Sequence, residues 1–245
     1  MNPARPGSLA ARETRTRRLP LLRTLFALLC LAGVAGAAAA TVVHAPAGSV
    51  QGSQAGAVLA YRGIPYAAPP VGELRWRAPR PVARWTGVLD ATHFAPHCAQ
   101  NASPFGVASQ SEDCLYLNVY VPADADERAR RDGLPVMVWV HGGALVFGES
   151  DDYDPAPLVA RGVVVVTINY RLGLLGFLVH PALETDAAAD GPIVNYGIRD
   201  QQAALHWVQR NIAAFGGDRN NVTIAGESAG GGSVLVMLTL SLIHI

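Results

Sequence analysis

The chain has 245 residues, of which 50% are hydrophobic and 16% charged, enough apolar material for one sizeable core and too much for a wholly disordered chain. The 19 basic residues, all Arg, balance 19 acidic ones, so the overall charge selects no partner, but its distribution does. Six of the Arg fall within the first 23 residues.

Residues 1–40 read as an export signal. Arg5, Arg12, Arg15, Arg17, Arg18 and Arg23 form a positive segment, the apolar run Leu25–Val34 follows, and Ala38-Ala39-Ala40 offers a small-x-small cleavage site after Ala40. About ten strongly apolar residues is short for a membrane span, which needs roughly 20. Arg17-Arg18 hints at twin-arginine export, but Pro20 stands where that signal usually has an aromatic, so the export route stays open. Cys30 follows Leu29 rather than a small residue, against a lipoprotein anchor. Losing residues 1–40 removes six Arg and Glu13, leaving 13 Arg against 18 acids and a net charge of −5. No basic stripe remains, which argues against a nucleic-acid partner. The location expected is secreted or periplasmic, without stable membrane association once the signal is cut.

Cys98 and Cys114 remain, 16 positions apart. In an oxidising compartment such an even pair reads as a disulfide, with two separate buried thiols as the alternative. No CxxC or Cys/His spacing suggests a metal, and no cofactor is implied.

From Thr41 to Tyr61 apolar and small residues alternate, broken by Gly48, Gly52 and Gly56, which predicts short antiparallel strands. The Pro-rich residues 63–87 read as irregular surface, Leu115–Val121 as a strand, and Ala123–Asp132 as a charged loop. Pro135–Val140 and Val163–Ile168 are β-branched runs, the mark of strands buried on both faces in a parallel sheet. Ile198–Phe215 predicts a helix with Ile198, Gln202, Leu205, Val208 and Ile212 on one face, stopped by Gly216-Gly217. Val222–Ala225 reads as a further strand, and a small-residue helix starts at Ala229. This order is α/β, in one domain from 41 to 239.

Gly226-Glu227-Ser228-Ala229-Gly230 fits G-x-S-x-G between that strand and that helix. A turn so tight excludes bulky flanks and lifts the hydroxyl to a helix N-terminus, where backbone N–H groups favour developing negative charge. A plain glycine-rich cap is the alternative. His141-Gly142-Gly143-Ala144 follows the strand Pro135–Val140, where small residues let backbone N–H groups approach a substrate oxyanion. His141 reads as structural rather than as a base.

Together with Gly63-Ile64-Pro65-Tyr66-Ala67, Pro69-Pro70-Val71-Gly72, Ser111–Val119 (SEDCLYLNV), Asn169-Tyr170-Arg171-Leu172-Gly173, Asp200–Leu205 (DQQAAL) and Phe215-Gly216-Gly217-Asp218, the chain resembles the type-B carboxylesterases, which include bacterial para-nitrobenzyl esterases and cholinesterases. The resemblance implies an α/β-hydrolase fold and hydrolysis of a small-molecule ester through a serine acyl-enzyme. It implies Ser228 as nucleophile and the N–H groups of Gly143, Ala144 and Ala229 as the oxyanion hole. It further implies the Cys98–Cys114 disulfide, structural ion pairs Arg171–Asp200 and Arg75–Glu112, and Glu227 as a wall of the site.

A serine needs a base and an orienting acid. In the family's chain order these follow the serine, yet the 17 residues after Ser228 hold no Asp or Glu, and His244 lies too close in sequence. The expectation is the N-terminal half of a longer hydrolase, inactive alone because the triad acid and histidine are missing, and poorly soluble because the elbow strand's outer edge is left open. Leu240–Ile245 matches a translated sequencing adapter and is expected to be a foreign tail, the alternative being a genuine short protein. A non-catalytic, cholinesterase-like binding or adhesion protein and a lipase or amidase on the same fold are the competing functions.

Overall fold

The computed structural model describes residues 41–124, 132–181, 183 and 194–240. The leader, most of the charged loop and all of the tail except Leu240 lie outside the described residues. The elements are strands β1 (Thr41–Ala45), β2 (Gly48–Ala55), β3 (Val58–Pro65), β4 (Val88–Asp90), β5 (Tyr116–Pro122), β6 (Leu134–Val140), β7 (Val164–Ile168) and β8 (Gly217–Gly226). The helices are α1 (Ala156–Val159), α2 (Gly173–Phe177), α3 (Tyr196–Asn211) and α4 (Ala229–Thr239).

One sheet runs β1-β2-β3-β5-β7-β6-β8, with β4 against β2. The hairpins from β1 to β3 pair antiparallel, as do β3 with β5 and β5 with β7. The strands β7-β6-β8 pair parallel, as does the short β4 with β2. From β6 the chain crosses to β7 on one side and then returns over α3 to β8 on the other. The strand order therefore reverses at β6, and the crevice at the carboxyl ends of parallel strands at such a point is where ligands bind. The register aligns Val140 with Gly226, so β6 and β8 end side by side.

β7 is buried throughout, as its β-branched run predicts, but β6 is not. Val136, Val138 and Val140 are buried in the main core, while Met137 and Trp139 on the opposite face are half-buried. The run of valines hides an ordinary alternation. The elbow strand starts at Gly217 rather than Val222, because pairing with β6 begins five residues earlier. Helix α3 starts two residues before Ile198 and passes into a 3-10 turn at Ile212–Phe215. Its buried face includes Gln201 rather than Gln202, together with Ala204, Leu205, Trp207 and Val208. Residues 63–87 are not all surface: β3 reaches Pro65, and Ile64, Tyr66 and Ala67 are buried. At Gly63, in a register shift of β3, the N–H donates to Asn118 Oδ1 at 2.9 Å.

β8 closes the sheet's order, and α4 exposes Leu235, Val236 and Leu238, with Leu240 exposed just after it. Among the described residues, no helix is long and apolar enough to cross a membrane.

Arg171 and Asp200 tie α3 to the loop after β7. Both are buried, and the guanidinium donates from Nε to Oδ2 at 2.8 Å and from Nη2 to Oδ1 at 2.7 Å, with the Arg171 N–H also on Oδ2 at 3.0 Å. Removing one member strands the other charge in a low-dielectric interior. Asp200→Ala is therefore expected to destabilise the fold by about 3–5 kcal/mol, read as a lowered urea midpoint.

Candidate active site

The turn after β8 holds a residue in an unusual backbone conformation. Ser228 has φ +52° and ψ −120°, a conformation that L-residues adopt only under strain, and its side chain stands exposed at the N-cap of α4. The turn closes through Gly230 N–H on Glu227 C=O at 2.8 Å and Gly232 N–H on Ser228 C=O at 3.0 Å. Gly226 and Gly230 are required by space. A Cβ on Gly226 would fall 2.5 Å from the Gly230 carbonyl carbon, and one on Gly230 would overlap the carbonyl groups of Val140 and His141.

The turn after β6 meets this elbow. A Cβ on Gly142 would lie 2.6 Å from Glu227 Oε2 and 3.1 Å from Ser228 Cβ, so the two turns share one surface. Gly143, Ala144 and Leu145 have φ values of +92°, +54° and +62°. The Gly143 carbonyl accepts the N–H groups of Val146 and Phe147, both at 3.0 Å. Among the described residues the N–H groups of Gly143 and Ala144 donate to nothing, and that of Ala229 is an open donor of the first helical turn. The three expected oxyanion donors thus sit on the two turns that flank Ser228, and none is spent on the fold.

His141 is buried and stacked on Tyr170 at a centroid distance of 4.4 Å, with Nδ1 2.9 Å from the Gly142 carbonyl. Burial pushes its pKa down to about 4, so it is a neutral prop for the turn. The Tyr170 hydroxyl donates to the His141 carbonyl at 2.9 Å, and burial pushes that phenol well above its usual range. Glu227 is exposed and lines the surface beside Gly142. Ser228 Oγ has no hydrogen-bond partner among the described residues.

Cys98 and Cys114 are joined as a disulfide. Arg75 and Glu112 pair near the surface, with Nε on Oε2 at 2.6 Å. Both lie off the serine turn and serve the scaffold. Motif reading missed what grips the turn from behind. Gln100 brackets Gly148, its Nε2 donating to the Gly148 carbonyl at 3.0 Å and its Oε1 accepting the Gly148 N–H at 2.8 Å. Buried Glu149 accepts the Val107 N–H at 2.8 Å.

The carboxylesterase family profile matches residues 39–244. The chain belongs to the carboxylesterase family. It is 48% identical over 203 residues to a fumonisin B1 esterase of Sphingopyxis macrogoltabida, covering 81% of this chain and 36% of that protein. It is 45% identical over 207 residues to the para-nitrobenzyl esterase of Bacillus subtilis (strain 168), covering 81% and 40%. A solved para-nitrobenzyl esterase superposes with a TM-score of 0.71 at 47% identity, over 81% of this chain and 40% of that one. A carboxylesterase of Geobacillus stearothermophilus gives 0.71 at 46%, over 81% and 41%. The fold is that of the α/β-hydrolases, and the chain spans 36–40% of the length of these two curated family members.

The packing around the elbow separates two glycines of one helix. Gly230→Ala forces a Cβ into the β6 carbonyls and is expected to cost about 1–3 kcal/mol. Gly232→Ala, whose Cβ would meet nothing within 4 Å, is expected to gain roughly 0.5–1 kcal/mol from helix propensity. Denaturant midpoints of the two variants should move in opposite directions.

Proposed function

We propose that this chain carries the nucleophile and the oxyanion-binding half of a serine-dependent carboxylic ester hydrolase. The observation that carries the reading is the juxtaposition of an exposed, strained Ser228 with a glycine turn whose N–H groups are unspent. Ser228 Oγ attacks the ester carbonyl carbon, and its proton passes to a histidine base. The carbonyl oxygen, now negative, is held by the N–H groups of Gly143, Ala144 and Ala229, each such donor typically supplying about 2.7–4 kcal/mol to the transition state. The intermediate collapses, the alcohol leaves with the proton, and water releases the acid from the acyl-serine. Protein groups alone perform these steps, without a cofactor.

The histidine and its orienting acid belong, on this reading, to the part of the family fold that lies beyond the span matched here. The relatives named for para-nitrobenzyl esters and fumonisin B1 support a small-molecule ester as substrate. The positive segment, apolar run and Ala-Ala-Ala site within residues 1–40 support export to the periplasm or the medium.

The protein from its complete reading frame is expected to hydrolyse a short-chain nitrophenyl ester. Ser228→Ala should lower kcat by at least about a thousandfold with the fold intact by circular dichroism. The 245-residue chain alone should give no turnover. Turnover that survives Ser228→Ala, or a fully active 245-residue chain, would contradict the assignment.

A further inference from the structure

Behind the glycine turn, His97 stands between two carboxylates. Its Nδ1 lies 3.0 Å from Glu149 Oε2, and its Nε2 lies 2.9 Å from Asp151 Oδ1 and 3.1 Å from Oδ2. His97 precedes the disulfide cysteine Cys98, while Glu149 and Asp151 belong to the segment that leaves the Gly143–Phe147 turn. The same segment is gripped by Gln100 at Gly148 and by the Val107 N–H at Glu149. The loop closed by Cys98 and Cys114 is therefore fastened to the backbone immediately behind Gly143 and Ala144.

Hydrogen counting fixes the chemistry of this contact. With the Glu149 carboxylate ionised, Oε2 accepts both the Val107 N–H and the His97 Nδ1–H. A neutral imidazole has then only a lone pair on Nε2, which would face the lone pairs of the Asp151 carboxylate. Attraction there requires one further proton, on Nε2 or on Asp151. The acidic and basic side chains lie within 4.8 Å of one another, yet both ring nitrogens are engaged on opposite sides, which makes a proton-sharing arrangement rather than one centred on a cation. The other ionisable neighbours are Asp152 on the same segment, His141 at the end of β6, and Tyr120 of β5 with Arg62 of β3 beyond Asp151. Burial raises the Glu149 carboxyl above its usual range, which fits a site short of water.

We propose that His97 is a positioning residue for the oxyanion turn: by sharing a proton with Asp151 while donating to Glu149, it fastens the chain behind Gly143 and Ala144 to the disulfide loop, and the Asp151 half of the fastening is lost with that proton while the Glu149 half remains. The inference rests on reading that turn as the oxyanion-binding one. It makes the turn's rigidity pH-dependent, with the turn held at the acid side and loosened towards the alkaline side.

The test uses Asp151→Asn in the protein from its complete reading frame. An amide N–H donates to the Nε2 lone pair of a neutral ring, so this variant keeps the contact without the extra proton. Ring nitrogen spectra of labelled histidine, with the His97 signal assigned by its loss in His97→Gln, are followed from about pH 5 to about pH 9. Exchange of the Val146 and Phe147 amides, corrected for intrinsic rates, is measured over the same range. In the wild type, protection should fall roughly tenfold as the ring passes from two protons to one. In Asp151→Asn the ring should hold a single proton on Nδ1 and protection should not change with pH. Identical pH profiles in the two proteins, or wild-type protection that ignores the loss of the ring proton, would overturn the proposal. Neither readout needs turnover, so an inactive protein with the expected profiles counts against the esterase reading alone.

Discussion

Two backbone turns, one after β6 and one after β8, approach so closely that neither side has room for a Cβ. Gly226 and Gly230 lie on the β6 carbonyls, and Gly142 lies on Ser228 and Glu227. The parallel register that ends Val140 beside Gly226 brings the turns to the same end of the sheet. That contact places the exposed Ser228 next to a glycine turn whose Gly143 and Ala144 N–H groups have no partner among the described residues. The strain of Ser228, Ala144 and Leu145 at positive φ is held by the burial of β6 and by the ring stack of His141 on Tyr170.

The scaffold serves that contact from two directions. From the core side, α3 is tied down through the Arg171–Asp200 pair, a bidentate contact between two buried side chains. From the solvent side, the loop between Cys98 and Cys114 reaches the turn through Gln100, Val107 and His97. The first is held by two charges that are costly to separate in a buried site. The second is built from amide hydrogen bonds together with the contacts of His97 to Glu149 and Asp151.

Much of this architecture was legible in the sequence, and for identifiable reasons. The strands β6 and β7 declare themselves as runs of Val, and the glycines around Ser228 and after His141 mark the turns because only small residues fit there. Element ends were read less well. β8 begins at Gly217, which pairs with Leu134 of β6, and Asp218, Arg219, Asn220 and Asn221, which carry no strand pattern, fall in the register shift before Val222. The half-buried face of β6 was concealed by a sequence in which Met137 and Trp139 alternate with Val and all are apolar. The grip of Gln100, His97, Glu149 and Asp151 was invisible, because their contacts span 42 to 54 positions and depend on where a disulfide loop comes to rest.

The central claim is that Ser228 is the reactive hydroxyl beside the glycine turn. The most direct measurement is covalent labelling of the protein from its complete reading frame with an alkyl fluorophosphonate, followed by peptide mass spectrometry. The account predicts a single phosphonate on the peptide containing Ser228, at one label per chain, with no label after denaturation. Label on another residue, or a native protein that takes none, would contradict it.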